Sequence, residues 1–289
     1  MLLAVAATAT WATTAAMACG PQYMVDVRCY GAGSGSADDS GAINAAARDA
    51  VSSGQPLLFP PGSYRVSHGI AIDYAASAST GFRLISMGAV IDGTAVGSGP
   101  VLQVTCSGGN SAAPEGCFYF KEEGSLFVNA DTSGYAVVIG NPDFSDAHNS
   151  IKIDHLIVNN RNPGNSSGGV QLNYVLDSEL FVVADAAGGG AGIALEQVQF
   201  SMVHGAGSAT LGTALLIENG YTIANTIQAV DLEVAAVCVS VASPRAAGNS
   251  FVSPYFDCPV AVFDPVPGAV FYNPVYSGKV KTTETATWQ

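Results

Sequence analysis

From about residue 168 onward the chain repeats itself. The stretches GGVQLNYVLDSELFVV, AGIALEQVQFSMVH, TALLIENGYTIANTIQ, VCVSVASPRAAGNSFV and PVAVFDPVPGAVFYN each open with a short alternating apolar strand, break at polar residues and resume the alternation. Their first apolar anchors, Val170, Ile193, Leu215, Val239 and Val260, are separated by 23, 22, 24 and 21 residues. A period of that length with two or three short strands in each unit belongs to a solenoid, because one unit cannot bury its apolar face alone and must stack on the next. YAVVIGNPDFSDAHNSIKI, from Tyr135, reads as an earlier coil with a longer turn. Equivalent residues of successive coils then stack at ~4.8 Å, the spacing of hydrogen-bonded strands.

At the bend before the second strand of each coil stand Asn149, Ser178, Ser201, Asn225 and Asn249. Asn and Ser accept turn conformations and hydrogen-bond to nearby backbone, so this column is expected to be a structural ladder. The composition agrees with a sheet protein. Only 11% of residues are charged and 33 are Gly, which leaves little material for surface helices held by ion pairs. The formal net charge of −13 repels phosphate backbones and polyuronates alike, so nucleic acid is excluded as a partner class.

Residues 1–18, MLLAVAATATWATTAAMA, carry no charged side chain and end in Ala16-Met17-Ala18, a small-x-small step before Cys19. They read as a signal peptide or, lacking a basic residue near Met1, as an N-terminal arm that stays on. No stretch is long and apolar enough for a membrane crossing, so no integral membrane segment is expected. Six cysteines suit an oxidising compartment, with near-neighbour pairing Cys19–Cys29, Cys106–Cys117 and Cys238–Cys258 as the simplest arrangement and buried thiols as the alternative. Domain limits follow: 1–18 signal or arm, 19–280 solenoid, 281–289 a polar tail.

The N-terminal part reads differently. Tyr30-Gly31-Ala32 leads through a Gly-rich step to Asp38-Asp39-Ser40, then to Ala42-Ile43 in a short helix and to Leu57-Leu58-Phe59-Pro60-Pro61-Gly62-Ser63-Tyr64. These residues resemble the N-terminal signature of the pectate-lyase-like superfamily, found in polysaccharide lyases, polygalacturonase-related glycosidases and phage tailspikes. The resemblance covers about forty residues, and the coil period extends it over most of the chain. It implies an all-β fold, a single-stranded right-handed parallel β-helix with a short N-terminal capping helix. In one step the chain departs from the pattern: the Gly-rich turn is a residue shorter, and Ser34 stands where an Asp is usual.

Asp38, Asp39 or Ser40 is placed to cap the helix that follows, with carboxylate at the positive end of its dipole. Ile43, Ala46, Ala47 and Val51 would form the buried stripe, and the helix would cover the open first coil. The aspartate pair is therefore read as structural.

Chemistry is sought where stacked coils bring polar residues together. The position just past the first strand gives the column Asn173, Glu196, Glu218, Ala242 and Phe263, in which two carboxylates meet one coil apart. A separation near ~5 Å is what retaining glycoside hydrolysis requires of its acid and nucleophile, and mutual repulsion would keep one of the two protonated. The alternative is a pair of glutamates facing solvent. Glu196 and Glu218 are the candidate catalytic residues, with His204, Asp231 and Glu233 as weaker candidates. His204 is placed in an outward column with Lys152, Phe181 and Gln228. Asn173, Tyr174 and Tyr221 are candidate substrate contacts, the tyrosines as stacking faces.

The catalytic sets of the superfamily are missing: the later coils hold no Asp-Asp, no Gly-His-Gly and no Arg-x-Lys, and Asn141-Pro142-Asp143 does not reproduce the Asp-Pro-His-Asp of its epimerases. No cofactor or metal is expected. Calcium is the one ion that stacked acids would suit, but no EF-hand-like ligand series occurs. Two functions remain open. One is a secreted or periplasmic enzyme hydrolysing or cleaving a neutral or weakly charged polysaccharide. The other is a non-catalytic β-helix that binds glycans or builds an assembly, as an adhesin or at a virion surface. A monomer or a homotrimer fits either.

Overall fold

The structure is a computed structural model that describes residues 23–33, 35–75, 80–107, 116–263, 269–277, 281–282 and 287–288. The expected signal or arm, Ser34 and the Cys19 half of the Cys19–Cys29 pair lie outside these residues. Short strands stack in parallel, each pairing with the equivalent strand one coil away, into one sheet of 22 strands. A second, three-stranded sheet joins Cys117–Phe118, His148–Asn149 and Val175–Leu176. The architecture is the all-β parallel β-helix that the coil period implies.

One coil shows how the chain turns. Strand Gly168–Asn173 is followed by Tyr174 in left-handed conformation (φ 51°), the short strand Val175–Leu176, Asp177 again left-handed (φ 48°), and strand Glu179–Ala186. The next coil repeats this with Ala191–Glu196, Gln197 (φ 55°) and Phe200 (φ 52°). A single left-handed residue between two extended segments bends the chain sharply without breaking the stacking of either side. The predicted anchors are in register: Val170 pairs with Ile193, Ile193 with Leu215 and Leu215 with Val239.

The interior is a set of apolar columns. One runs Leu57, Leu84, Glu122, Ile153, Leu180, Val203, Ile227, Phe251 and Phe271. All of these are buried, and Phe251 stacks on Phe271 with ring centroids 4.6 Å apart. Full burial of each apolar member is worth about 1.5–3 kcal/mol. Glu122 is the one ionisable residue in that column.

The ladder forms, shifted at one end. Ser178 Oγ accepts from the Ile151 amide at 2.9 Å, Ser201 Oγ from the Ser178 amide at 3.1 Å, Asn225 Oδ1 from the Ser201 amide at 3.0 Å, and Asn249 Oδ1 from Asn225 Nδ2 at 2.9 Å. Asn149 lies two residues ahead of this column, opposite Leu176. Lys152 likewise pairs with Glu179, not Phe181. At the other end Val239 pairs with Val262 and Ser240 with Phe263, so Val260 and Phe263 are also two residues out of the expected register. Both slips have one cause. A shift of two residues preserves the inside–outside alternation, so an apolar pattern cannot tell the two registers apart.

At the N-terminus helix α1 (Ser40–Ser53) buries Ile43, Ala46, Ala47, Ala50 and Val51, and Gly54 closes it in left-handed conformation. It packs against strand Ile70–Asp73, where Asn44 accepts from the Ala71 amide at 2.9 Å and donates to the Gly69 carbonyl at 3.2 Å. The helix thus satisfies backbone groups of an exposed edge strand. The two aspartates divide the work. Asp38 accepts from Ser40 Oγ, from Ser67 Oγ and from the Ser40 amide at the start of the helix, and these hydrogen bonds hold its carboxyl far below the usual range. Asp39, the N-cap by position, makes no side-chain cap bond; its carboxylate takes the amides of Gly33 and Arg65, both at 3.0 Å. The pair therefore pins the Gly-rich turn and the first coil to the helix.

Disulfides join Cys106 to Cys117 and Cys238 to Cys258. Strands Lys281–Thr282 and Thr287–Trp288, within the stretch read as a polar tail, pair with Val260–Phe263 and Ala269–Tyr272. Among the described residues no helix is long and apolar enough to cross a membrane.

Candidate functional site

The expected carboxylate pair exists. Glu196 ends strand Ala191–Glu196, pairs with Asn173 on one side and with Glu218 on the other, and the two glutamates are direct register partners. Neighbouring strands in a ladder lie ~4.8 Å apart, which sets the spacing of the two backbones. Below them Gly140 (φ 98°) is required by the packing, since a Cβ there would come within 1.8 Å of the Asn173 carbonyl oxygen.

The two carboxylates sit in different surroundings. Glu196 is buried, and its oxygens each take an amide donor: Gln171 Nε2 on Oε1 and Asn219 Nδ2 on Oε2, the latter at 2.8 Å. Glu218 is half-buried and opens on a pocket of about 360 Å³ lined with Asn219, Gly220, Ala242, Ser243 and Arg245. Burial, and then the negative charge of Glu196, push the Glu218 carboxyl above its ordinary value. The guanidinium of Arg245, which lines this pocket, lies 5.0 Å from the centre of the exposed Tyr221 ring. Tyr135 joins the neighbourhood: burial raises its hydroxyl pKa, and the charges of Glu218 and Glu196 raise it further. In the sequence Tyr135 marks only the start of a coil, and its proximity to the acids depends on side-chain reach across three coils that periodicity does not reveal.

The other candidates are dispersed, one of them in the interior. Asn173 is fully buried beneath Glu196, and neither of its amide atoms has a hydrogen-bond partner among the described residues. Tyr174 occupies the left-handed turn, its amide donating to the Glu196 carbonyl at 2.9 Å. His204 pairs with Phe181 on strand Glu179–Ala186, beside a hollow lined also by Lys152, Asp154 and Glu179, on a different segment of the coil from the glutamates. Asp231 and Glu233 are exposed on strand Asp231–Val241, opposite Tyr255 and Asp257; burial and Asp257 raise the Asp231 carboxyl. Among the described residues no three His, Cys, Asp or Glu side chains gather closely enough to hold a metal ion.

No protein-family model matches the sequence, and no curated protein sequence matches it either. Solved structures do. ORF18 of Geobacillus virus E2 superposes with a TM-score of 0.57 at 16% identity over 92% of this chain and 59% of that one. The fold is a parallel β-helix. A second protein of the same architecture, the A-module of the mannuronan C-5 epimerase AlgE4 from Azotobacter vinelandii, superposes with a TM-score of 0.50 at 14% identity over 91% of both chains. The present β-helix therefore spans about three fifths of the virus protein and nearly all of the epimerase module. At these identities the likeness is one of fold, so chemistry has to be argued from the carboxylates themselves.

Chemically, the pair offers two carboxyl groups in different surroundings. One has its oxygens filled by fixed donors and is oriented by them. The other is biased toward its protonated form and faces a pocket. That asymmetry is what separates an acid from a base at a glycosidic bond.

Proposed function

We propose that this protein is a carbohydrate-active β-helix that cleaves a neutral or weakly charged polysaccharide, with Glu218 as general acid and Glu196 as the second carboxylate. The observation that carries this reading is the in-register stacking of buried Glu196 on Glu218, which lines a pocket. At about one strand spacing the second carboxylate is close enough to attack the anomeric carbon, the arrangement that goes with retention of configuration. Tyr221, held under Arg245, is the stacking face for a sugar ring beside Glu218. A polyuronate such as the mannuronan named for the AlgE4 epimerase is disfavoured as substrate by the net charge of −13. The two disulfides suit an oxidising compartment, either secreted or periplasmic or at a virion surface.

The second reading is a non-catalytic glycan-binding or structural β-helix, a monomer or homotrimer, in which the carboxylates do no chemistry. The virus protein's shared architecture is what favours it. Reducing-end and unsaturated-product assays on a panel of neutral polysaccharides, with Glu196→Gln and Glu218→Gln beside the unaltered chain, separate the two. Turnover lost in both variants supports the enzyme. Binding without turnover supports the module.

A further inference from the structure

A second hollow lies away from the carboxylates. A groove of about 720 Å³ runs across the coils on the far side of the short strands, and Ser150, Asp177, Phe200 and Ala224 line it. These four belong to one column of left-handed residues that begins at Tyr119, with φ values of 59°, 55°, 48°, 52° and 56°. Each amide in the column donates to a carbonyl in the next coil: Tyr119 to Asn149, Ser150 to Leu176, Asp177 to Gln199, Phe200 to Ile223 and Ala224 to Ala247.

The occupants of this column are informative. A left-handed position favours Gly or Asn and disfavours a bulky side chain, and Gly248 takes the next such position at φ 66°. Tyr119 and Phe200 are the residues least suited to it, yet each is more than half exposed, at 55% and 56%, so neither is placed there to fill the core. Backbone conformation that costs stability and presents an aromatic face to solvent marks a site where that face is used. Phe200 lines the groove itself, and Tyr119, three coil steps or about 14 Å away along the axis, stands at an adjoining hollow that shares Lys121 with it.

Between them the groove mixes apolar side chains, Phe200 and Met202 among them, with charges that neutralise one another. Lys152 Nζ lies 3.5 Å from Asp154 and 3.9 Å from Glu179, and Lys121 Nζ lies 3.5 Å from Glu123. Such a surface has no strong net sign to draw a polyion. It offers two aromatic platforms and paired hydrogen-bonding groups at a repeat close to the length of one sugar residue in an extended chain.

We infer that the Tyr119–Phe200 groove binds a neutral linear oligosaccharide laid across the coils, as a site separate from the carboxylate pair. The proposed function supplies only the class of ligand. The groove's volume lies within the range of small-molecule sites.

Isothermal titration calorimetry with cellohexaose, chitohexaose, mannohexaose and maltohexaose tests this, run in the E218Q chain so that no ligand is consumed. At least one hexaose is expected to bind, and adding Phe200→Gly or Tyr119→Gly is expected to weaken it at least tenfold. Glycine relieves the left-handed backbone, so the melting temperature should hold or rise in both variants, an outcome that lost folding cannot mimic. Binding unchanged by both glycine substitutions, or no binding of any hexaose, overturns the inference. Hexaose binding that depends on Phe200 supports the groove even if the unaltered chain hydrolyses nothing, so the two proposals fail separately.

Discussion

Glu122 and His155 meet where the interior column is interrupted. The His155 amide donates to Glu122 Oε2 at 3.1 Å, at a bulge between Ile153 and Leu156, while Glu122 Oε1 is buried without a partner among the described residues. Leu84 and Ile153 flank Glu122 in the coils on either side. Burial pushes its carboxyl up to about 7, with the Asp154 and Glu123 charges adding to the shift and the His155 and Asp154 amides opposing it.

A carboxyl whose folded-state pKa is raised contributes most to stability at low pH, and that contribution is lost as pH rises from about 4.5 toward 7. The loss amounts to about 3 kcal/mol, an order-of-magnitude figure. Glu122→Gln should therefore raise the melting temperature at pH 8 and change it little at pH 4.5. Urea unfolding at the two pH values checks this; an equal effect at both would show that Glu122 is not charged in the fold.

Asn225 ties three neighbours together in the ladder. Its Nδ2 donates to the Val198 carbonyl at 2.8 Å and to Asn249 at 2.9 Å, and its Oδ1 accepts from the Ser201 amide. Asn225→Ala leaves buried backbone groups without partners and should cost about 2–4 kcal/mol in denaturant unfolding. Thr226→Ala, one residue along and only half-buried, should cost under about 1 kcal/mol.

The Cys238–Cys258 bond closes a loop with a sequence separation of 20 between two neighbouring coils. By the loop-entropy relation it stabilises by about 3 kcal/mol. The Cys238→Ser/Cys258→Ser chain should unfold at correspondingly lower urea, and a reducing agent should lower the midpoint of the unaltered chain by more than it lowers that of the double variant.

What the sequence discloses here depends on parity and spacing. The anchors from Val170 to Val239 were legible because steps of 22 to 24 residues recur with the same alternation, and the Glu196–Glu218 pair followed directly from them. Val260 and Lys152 slipped by two because parity survives such a shift. Glu122 carried a readable signal, an acid at an inward position between Phe120 and Leu126, but a strand written FKEEGSLFV draws attention to its apolar residues first. The left-handed column had no signal at all, since Tyr, Ser, Asp, Phe and Ala occupy it in turn and only the backbone unites them. The partners of Glu196, Gln171 and Asn219, depend on side-chain direction and lay equally beyond reach.

The carboxylate pair is tested most directly by the initial rate of reducing-end release from whichever neutral polysaccharide the unaltered chain degrades fastest, compared with Glu218→Gln. An acid with a raised pKa must be protonated to act, so the unaltered rate should fall as pH rises through that pKa. Glu218→Gln should lose about 10²–10⁴-fold at every pH. Equal rates for the two chains, or no reducing ends from any polysaccharide, would contradict catalysis by Glu196 and Glu218.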